Sequence, residues 1–520
     1  MSRSRRFLSG AAFSYLYQAS VAIVGIWLTP FYLRVLGAHD YGIWLVGLQV
    51  LGVLLLCDLG VITVLPRDVA QANGRELTGS DPDELPMLIA STAKIVLPQT
   101  ILVALVALAL FFFRPSAASG VRGPVALVLL TFVVTYPFRM FPAILQGLQE
   151  IKFLGQLRIC LWAVSAGITV WLLFLGFRFY ALAWGWCFLE SGSNVGALVK
   201  LYLIRPDLLR VRTWKTVGAF QWRWLTRGLW VSVGQITNTF SCGMDLLIIA
   251  PVLGPAMVVV YSCTGKLVQV LQNQPQSLAS YALPGLSQMK TAESRERIRT
   301  AATCLTQAMV LVGGAIFCVV LPLNQQFVSL WTGSHYFGGL PLTVLFLVNF
   351  MARLIDYTLA MALFAFGYEK FYAVRAILDG LVSAVLAILL VGPLGLKGVL
   401  IGFACGAVFV AIPIDLYLFS REFGVSILQS VKPYFPYLWR FIFVGCAALP
   451  IVARIDIPNL FVWALIASAI GLVYLALAFP YVNRSELGGY IRAAVSSYGT
   501  AIRARFLKVP EPTLSSSGDQ

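Results

Sequence analysis

Few residues of this chain are of types that could do chemistry, and those few are unusually placed. Its 520 residues hold 22 acids and two histidines against 38 lysines and arginines. The nine cysteines sit in or beside apolar runs and no two form a Cys-x-x-Cys pair. They read as small core residues, not as metal ligands or a disulfide framework. Thr264-Gly265-Lys266 is followed by Leu267 and lacks the upstream glycine of a phosphate-binding loop, which argues against ATP hydrolysis. The informative polar residues lie inside long apolar runs. Lys266, Gln269, Asn273 and Gln276 follow one another at helical spacing and form one polar stripe on one helix face. Ser232, Gln235, Asn238, Cys242 and Asp245 form a second stripe one run earlier. Lys94 and Arg139 are further cations within apolar surroundings, and Glu190 and Asp245 are the acids most deeply set in them. Ion coupling by protons or sodium needs a carboxylate whose protonation or occupancy changes through a cycle, which makes Asp245 and Glu190 its candidates.

Composition says what must hold these groups. Of all residues, 59% are hydrophobic and only 12% charged, with mean hydropathy +0.84. That charge fraction is about half the usual value for a soluble protein. A net charge of +16 could suggest nucleic acid, but the basic residues fall between apolar runs. That placement is the signature of membrane topology.

A membrane-spanning helix needs roughly 20 mainly apolar residues. Fourteen such runs are found, at about 11–36, 41–64, 87–113, 123–146, 154–176, 179–203, 228–250, 255–282, 299–322, 339–366, 370–392, 395–420, 434–453 and 458–480. Backbone groups in hydrocarbon must be paired within the segment, so each run is expected to be a helix and the fold all-α. Arg3, Arg5 and Arg6 resemble the start of a signal peptide, but the run behind them is too long and no small-residue cleavage site follows. With the N-terminus cytoplasmic, 25 basic residues fall on the cytoplasmic side and 5 opposite, which favours cytoplasmic placement of both termini. Two cytoplasmic segments have the pattern of surface helices. One interleaves Trp214, Trp222, Trp224 and Trp230 with Lys215, Arg223 and Arg227. The other carries Leu487, Ile491, Val495, Tyr498, Ile502 and Phe506 at helical spacing. The polar end from Pro510 reads as disordered.

Three landmarks recur at a near-constant offset. Val35-Leu36-Gly37 returns as Val252-Leu253-Gly254, 217 residues on. Gly147, with Glu150, Phe153 and Arg158, returns as Gly367, with Glu369, Phe371 and Arg375, at 220. Leu175-Gly176 returns as Leu394-Gly395, at 219. Two parallel six-helix repeats are expected, at 1–210 and 211–425. A helix pair (426–482) and a cytoplasmic amphipathic helix with a tail (483–520) would follow. An even number of helices per repeat puts both halves the same way up, as in transporters that rock about a site between halves.

Leu28-Thr-Pro-Phe-Tyr-Leu-Arg-Val-Leu-Gly-Ala-His-Asp-Tyr-Gly42 with Asp58-Leu-Gly60 resembles the opening of one branch of the multidrug/oligosaccharidyl-lipid/polysaccharide exporter superfamily. That branch is the polysaccharide-transport one, which contains the Wzx-type flippases. Asp245 to Gly254 with Tyr261 is similar to its seventh and eighth helices, and Leu394-Gly-Leu-Lys-Gly398 to the loop before its twelfth. The resemblance implies a flippase working by alternating access in a bacterial inner membrane. Its partner would be an undecaprenyl-diphosphate-linked oligosaccharide, moved from the cytoplasmic to the periplasmic leaflet for O-antigen, capsule, lipopolysaccharide or exopolysaccharide synthesis. Polymerase and chain-length proteins of the same pathway would be further partners. No cofactor and no metal are implied.

For that substrate, Lys266, Gln269, Asn273, Gln276, Gln235, Asn238, Lys94 and Arg139 would line a wet cavity holding diphosphate and sugar hydroxyls. The other reading is that the stripes only join helices by hydrogen bonds. Arg34, Arg158, Arg375 and Arg440 lie near helix ends, where long side chains snorkel to water. Arg353 with Asp356 and Arg375 with Asp379 read as structural ion pairs, and Asp58 as part of a turn. A drug exporter and a lipid II flippase of the same superfamily share the fold and stay open. A membrane glycosyltransferase or polymerase would need a catalytic acid or base on a sizeable far-side loop. The longest such loop, about 324–338, offers His335 and no carboxylate, so the chain is not expected to be an enzyme.

Overall fold

Apolar runs that must satisfy their own backbone can do so as helices, and the computed structural model is built from them. It describes residues 3–77, 84–112, 119–209, 244–292, 295–365, 368–489 and 492. Among the described residues no strand occurs, and ten helical stretches are long and apolar enough to cross a membrane.

In chain order the described α-helices are α1 (Arg3–Leu54), α2 (Val61–Leu77), α3 (Glu84–Phe112), α4 (Ser119–Thr135), α5 (Met140–Gly147), α6 (Ile151–Phe174) and α7 (Phe179–Ile204). There follow α8 (Asp245–Leu253), α9 (Pro255–Ala292), α10 (Arg295–Trp331), α11 (Leu340–Ala365) and α12 (Glu369–Leu394). The last are α13 (Leu396–Gly406), α14 (Ile412–Phe423), α15 (Ile427–Val431), α16 (Phe435–Val452) and α17 (Leu460–Arg484). The two runs expected at 11–36 and 41–64 are separated within the α1 range by a break at Gly37 (φ 80°, ψ 166°), and the second runs on past Leu54 into a 3-10 turn, Leu55–Asp58, and the start of α2. The run at 395–420 is interrupted by a π-helical turn, Ala407–Ala411, between α13 and α14. Of the run at 228–250, only the part from Met244 is described. Gln235 and Asn238 therefore lie outside the described residues, as do the tryptophan-rich segment and most of the amphipathic C-terminal helix.

Gly254, between α8 and α9, has nearly the dihedrals of Gly37 (φ 88°, ψ 159°). Such backbone is open almost only to glycine. The corners also share a buried tyrosine, Tyr41 at the first and Tyr261 at the second. These are the landmarks that the 217-residue offset relates in sequence.

The chain forms two compact units. The first comprises 1–270, 324–352 and 368–414. Within it, α6 packs along α1 and α7, and α4 along α7. Gly192 and Gly196 of α7 receive Leu161 and Leu157 of α6, and Ser165 donates to the Gly185 carbonyl at 2.7 Å. A cluster including Leu65, Val69, Leu85, Ile89, Ile144 and Leu201 joins α2, α3, α5 and α7. Past the end of α7, Arg205 ties Glu76 to Asp207 at 2.7 and 2.8 Å. Asp207, with help from Glu76, holds the guanidinium pKa above its ordinary value. Such small-residue contacts replace the hydrophobic drive that lipid does not supply between helices.

A second close contact is between α12 and α13. A Cβ added at Gly398 would fall 2.0 Å from the Leu390 carbonyl oxygen, and one at Gly402 would fall 2.4 Å from the Ala387 nitrogen. At Gly406 it would meet Ser383 Oγ at 2.0 Å and Asp379 Oδ1 at 2.6 Å. Gly398 and Gly402 thus let two backbones touch, and Gly406 one turn on makes room for the Ser383 and Asp379 side chains.

The second unit comprises 271–323, 353–367 and 415–520. Ala302, Leu359, Ala362 and Phe419 form one of its cores, and Leu323, Val452 and Ile457 another. Arg440 departs from the snorkelling expectation. Its side chain is buried, donates to the Pro436 carbonyl, and packs on Trp439 and Tyr481 with ring distances of 4.4 and 3.6 Å. Aromatic faces solvate this cation in place of water.

Gly402→Leu is expected to lower the melting temperature of the purified protein markedly, with a cost of at least 1–3 kcal/mol for overpacking (roughly). Gly392→Leu, where a Cβ would meet nothing within 4 Å, serves as the control. Equal melting temperatures for the two variants would refute the close-contact reading.

Candidate functional site

A polar residue that the membrane interior cannot hydrate must find a protein partner. The first unit gathers such residues at two places.

At the first, the carboxylate of Glu190 on α7 meets Arg139. That arginine ends a short 3-10 turn, Tyr136–Arg139, between α4 and α5. Its Nη1 lies 3.2 Å from Glu190 Oε1, and both side chains are about three-quarters buried, with 25% and 21% exposure. The guanidinium also stands over the Phe132 ring at 5.2 Å. Asn194, one turn along α7, donates Nδ2 to the Glu190 carbonyl at 2.9 Å and to Glu190 Oε1 at 3.3 Å. The local sequence explains the position: Tyr136-Pro137 tightens the turn that aims Arg139 at α7.

Asp58 itself has a structural task. Leu59 (φ 49°) and Gly60 (φ 70°) turn the chain, and Asp58 Oδ1 accepts from the Ile62 N–H at 3.0 Å at the start of α2. Gln99 of α3 donates to the Asp58 carbonyl at 3.0 Å. The turn reading of Asp-Leu-Gly matches this geometry.

The second place is Asp245, at the start of α8. Its Oδ1 accepts from Gln49 Nε2 at 2.6 Å and from the Leu246 N–H at 3.0 Å. Gln49 Oε1 in turn accepts from the Leu247 N–H at 3.1 Å, and Tyr261 adds a hydrogen bond from α9. Asp245 thus fastens α1, α8 and α9 through neutral donors. Gln49 was not picked out from sequence, although a lone glutamine in the apolar run 43–57 was a signal.

The remaining candidates scatter. Lys266 and Gln269 are half-buried on α9 in the first unit. Asn273 is exposed and Gln276 half-buried, and both belong to the second unit. Lys94 is exposed on α3. The expected pair Arg353–Asp356 is present at 3.9 Å and buried. Arg375 is buried, not snorkelled, against the Tyr372 ring at 5.0 Å, and Asp379 accepts from Ser383 at 3.2 Å. Among the described residues no group of three metal-ligating side chains forms.

The neighbours of the chain fit these features. Residues 88–338 match the family model described as a polysaccharide biosynthesis protein. Lys94, Arg139, Glu190, Asp245 and Lys266 all fall within that stretch. No curated protein matches the sequence. Among solved structures, an inward-facing multidrug-resistance MATE-family transporter of the MOP superfamily is similar at TM-score 0.62 and 15% identity. It covers 79% of this chain and 99% of its own. The lipid II flippase MurJ, in an inward closed conformation, is similar at TM-score 0.60 and 12% identity, covering 91% and 99%. A MOP-superfamily transporter from Pyrococcus furiosus, whose binding pocket is of reversed polarity, is similar at TM-score 0.56 and 16% identity, covering 81% of this chain and 94% of its own. At these identities the likeness is one of fold.

Replacing Arg139 alone would strand a part-buried carboxylate, while replacing both partners would not. Arg139→Ala and Glu190→Gln are each expected to lower the melting temperature. The double variant should recover part of the loss, with a coupling of roughly 0.5–3 kcal/mol. Additive losses would mean that the two side chains do not interact.

Proposed function

We propose that this chain flips a lipid-diphosphate-linked oligosaccharide, as a member of the polysaccharide-transport branch of the exporter superfamily; the polysaccharide-biosynthesis match over residues 88–338 and the shared transporter fold support that reading. Undecaprenyl diphosphate is the carrier proposed, moved from the cytoplasmic to the periplasmic leaflet of a bacterial inner membrane to supply polysaccharide assembly. The observation that carries the reading is an arginine held deep among apolar helices inside the polysaccharide-biosynthesis stretch, neutralised by one nearby acid. A guanidinium is the side chain best shaped to grip a diphosphate.

The pairing also suggests a coupling route by partner exchange. A diphosphate that engages Arg139 competes with Glu190 for it. Glu190 then faces the membrane interior without its cation, and a coupling ion would engage it at that step. Lys266 is proposed as a second anion contact. Asp245, already held by two side chains and an N–H, is better suited to joining helices than to cycling through protonation.

The test is the lipid-linked sugar pool of a strain lacking the protein, extracted and labelled by leaflet. Lipid-diphosphate oligosaccharide is expected to build up on the cytoplasmic face. Wild type should clear it, and Arg139→Ala or Lys266→Ala should clear it poorly. Normal arrival at the periplasmic face with polymer missing would instead place the protein after translocation, as a polymerase or glycosyltransferase would be. A normal pool together with sensitivity to cationic drugs would favour drug export.

A further inference from the structure

The second unit contains a cavity of about 500 Å³ that the transport reading does not use. It lies at one end of the unit, where α10 begins, α14 gives way to α15, and the chain leaves α17. All three places are helix ends flanked by charged residues, including Arg295, Arg297, Arg421, Lys432 and Arg484, which is where a membrane surface meets apolar helices.

The lining mixes polar and apolar side chains and carries both signs of charge. Arg299 reaches it from the first turns of α10, and Glu486 from just past α17. Between them stand Thr303, Gln307, Gln429 and Ser430. Arg299 makes only a long contact of 3.9 Å, with Glu296, whose side chain is 83% exposed. Glu486 has no ion-pair or hydrogen-bond partner among the described residues. The two charges do not pair with each other across the cavity. Meanwhile α15 turns its apolar side chains outward: Ile427 is 46% exposed and Leu428 78%, with Phe435 at 64% beside them. Ser430 of the same short helix is buried and lines the cavity, so one face is wet and the other apolar.

A cation and an anion facing one cavity select a ligand that carries both charges. The adjoining apolar surface selects one with hydrocarbon chains. We infer that this cleft binds the zwitterionic headgroup of a phosphoethanolamine lipid, its phosphate at Arg299, its primary ammonium at Glu486 and its acyl chains along Ile427, Leu428 and Phe435. An anionic glycerol headgroup would leave Glu486 uncompensated. A choline headgroup carries no N–H to donate to a carboxylate. The site is independent of the flippase reading and would stand if that reading fell.

The experiment uses the full-length protein purified in detergent and mixed with vesicles of phosphatidylethanolamine, phosphatidylcholine or phosphatidylglycerol. Retained lipid is counted by native mass spectrometry. Wild type is expected to keep phosphatidylethanolamine over the other two. Glu486→Gln should lower that preference about tenfold, the worth of one charge-assisted hydrogen bond. Arg299→Gln should lose phosphatidylethanolamine and phosphatidylcholine alike, and Arg299→Lys should restore part of both. Melting temperatures of the variants should match wild type, because Arg299 makes only a long contact with an exposed acid and Glu486 holds no partner among the described residues. Equal retention of all three lipids by wild type, or a preference unmoved by Glu486→Gln, would overturn the proposal. Displacement by soluble glycerophosphoethanolamine at the same concentration as the lipid would also overturn it, by showing that the chains add nothing.

Discussion

Hydrocarbon offers no hydrogen bonds, and nearly every feature of this protein answers to that constraint. The backbone closes on itself in helices, and helix-to-helix contact must come from close packing, since lipid is as apolar as leucine. The α12–α13 contact shows this, with Gly398 and Gly402 leaving no side chain between the backbones and Gly406 receiving Ser383 and Asp379. Just past the third glycine the helix widens into the π turn Ala407–Ala411 before Asp415, which is buried. Widened turns of this kind are common at functional positions. Here the turn marks where a backbone pressed against α12 gives way to ordinary side-chain packing in α14.

The same constraint governs the charges. Each buried charge described in detail has found a different solution. Arg139 and Glu190 neutralise each other, Arg440 lies among aromatic faces, and Asp245 is held by neutral donors. These solutions differ in what they permit. An ion pair can exchange partners, because a second anion competes for the same guanidinium on equal terms. A carboxylate fastened by a side-chain amide, a tyrosine and its own helix has no such competitor. That contrast separates Glu190 from Asp245, two acids that had equal standing from sequence alone.

Much of this was legible in the residues themselves. The apolar runs fixed the helical class, since no other backbone closes its hydrogen bonds in hydrocarbon. The observed limits of α3, α6, α7, α12 and α17 fall within a few residues of the runs that announced them. Gly37 and Gly254 stood out as landmarks, and their shared dihedrals follow from a corner that only glycine can turn. The opening motif and the Asp245–Gly254 stretch carried the family resemblance. The Asp-Leu-Gly sequence at 58–60 was readable as a turn because its residue types are those that cap and reverse a chain.

What tertiary structure alone decided was pairing. Arg139 and Glu190 lie 51 positions apart, and Gln49 and Asp245 lie 196 apart. Helical periodicity assigns a residue to a face of its own helix, but not to the neighbour that face will meet. So the sequence offered Arg139 as a substrate contact and Glu190 as a coupling acid, with nothing to link them. It offered Arg440 and Arg375 as snorkelling cations, because closeness to a helix end is visible in the chain and an aromatic neighbour from another turn or helix is not. Composition, period and motif determine which residues must avoid lipid. The contacts between helices determine what each finds when it does, since the partner depends on distances that the order of residues does not contain.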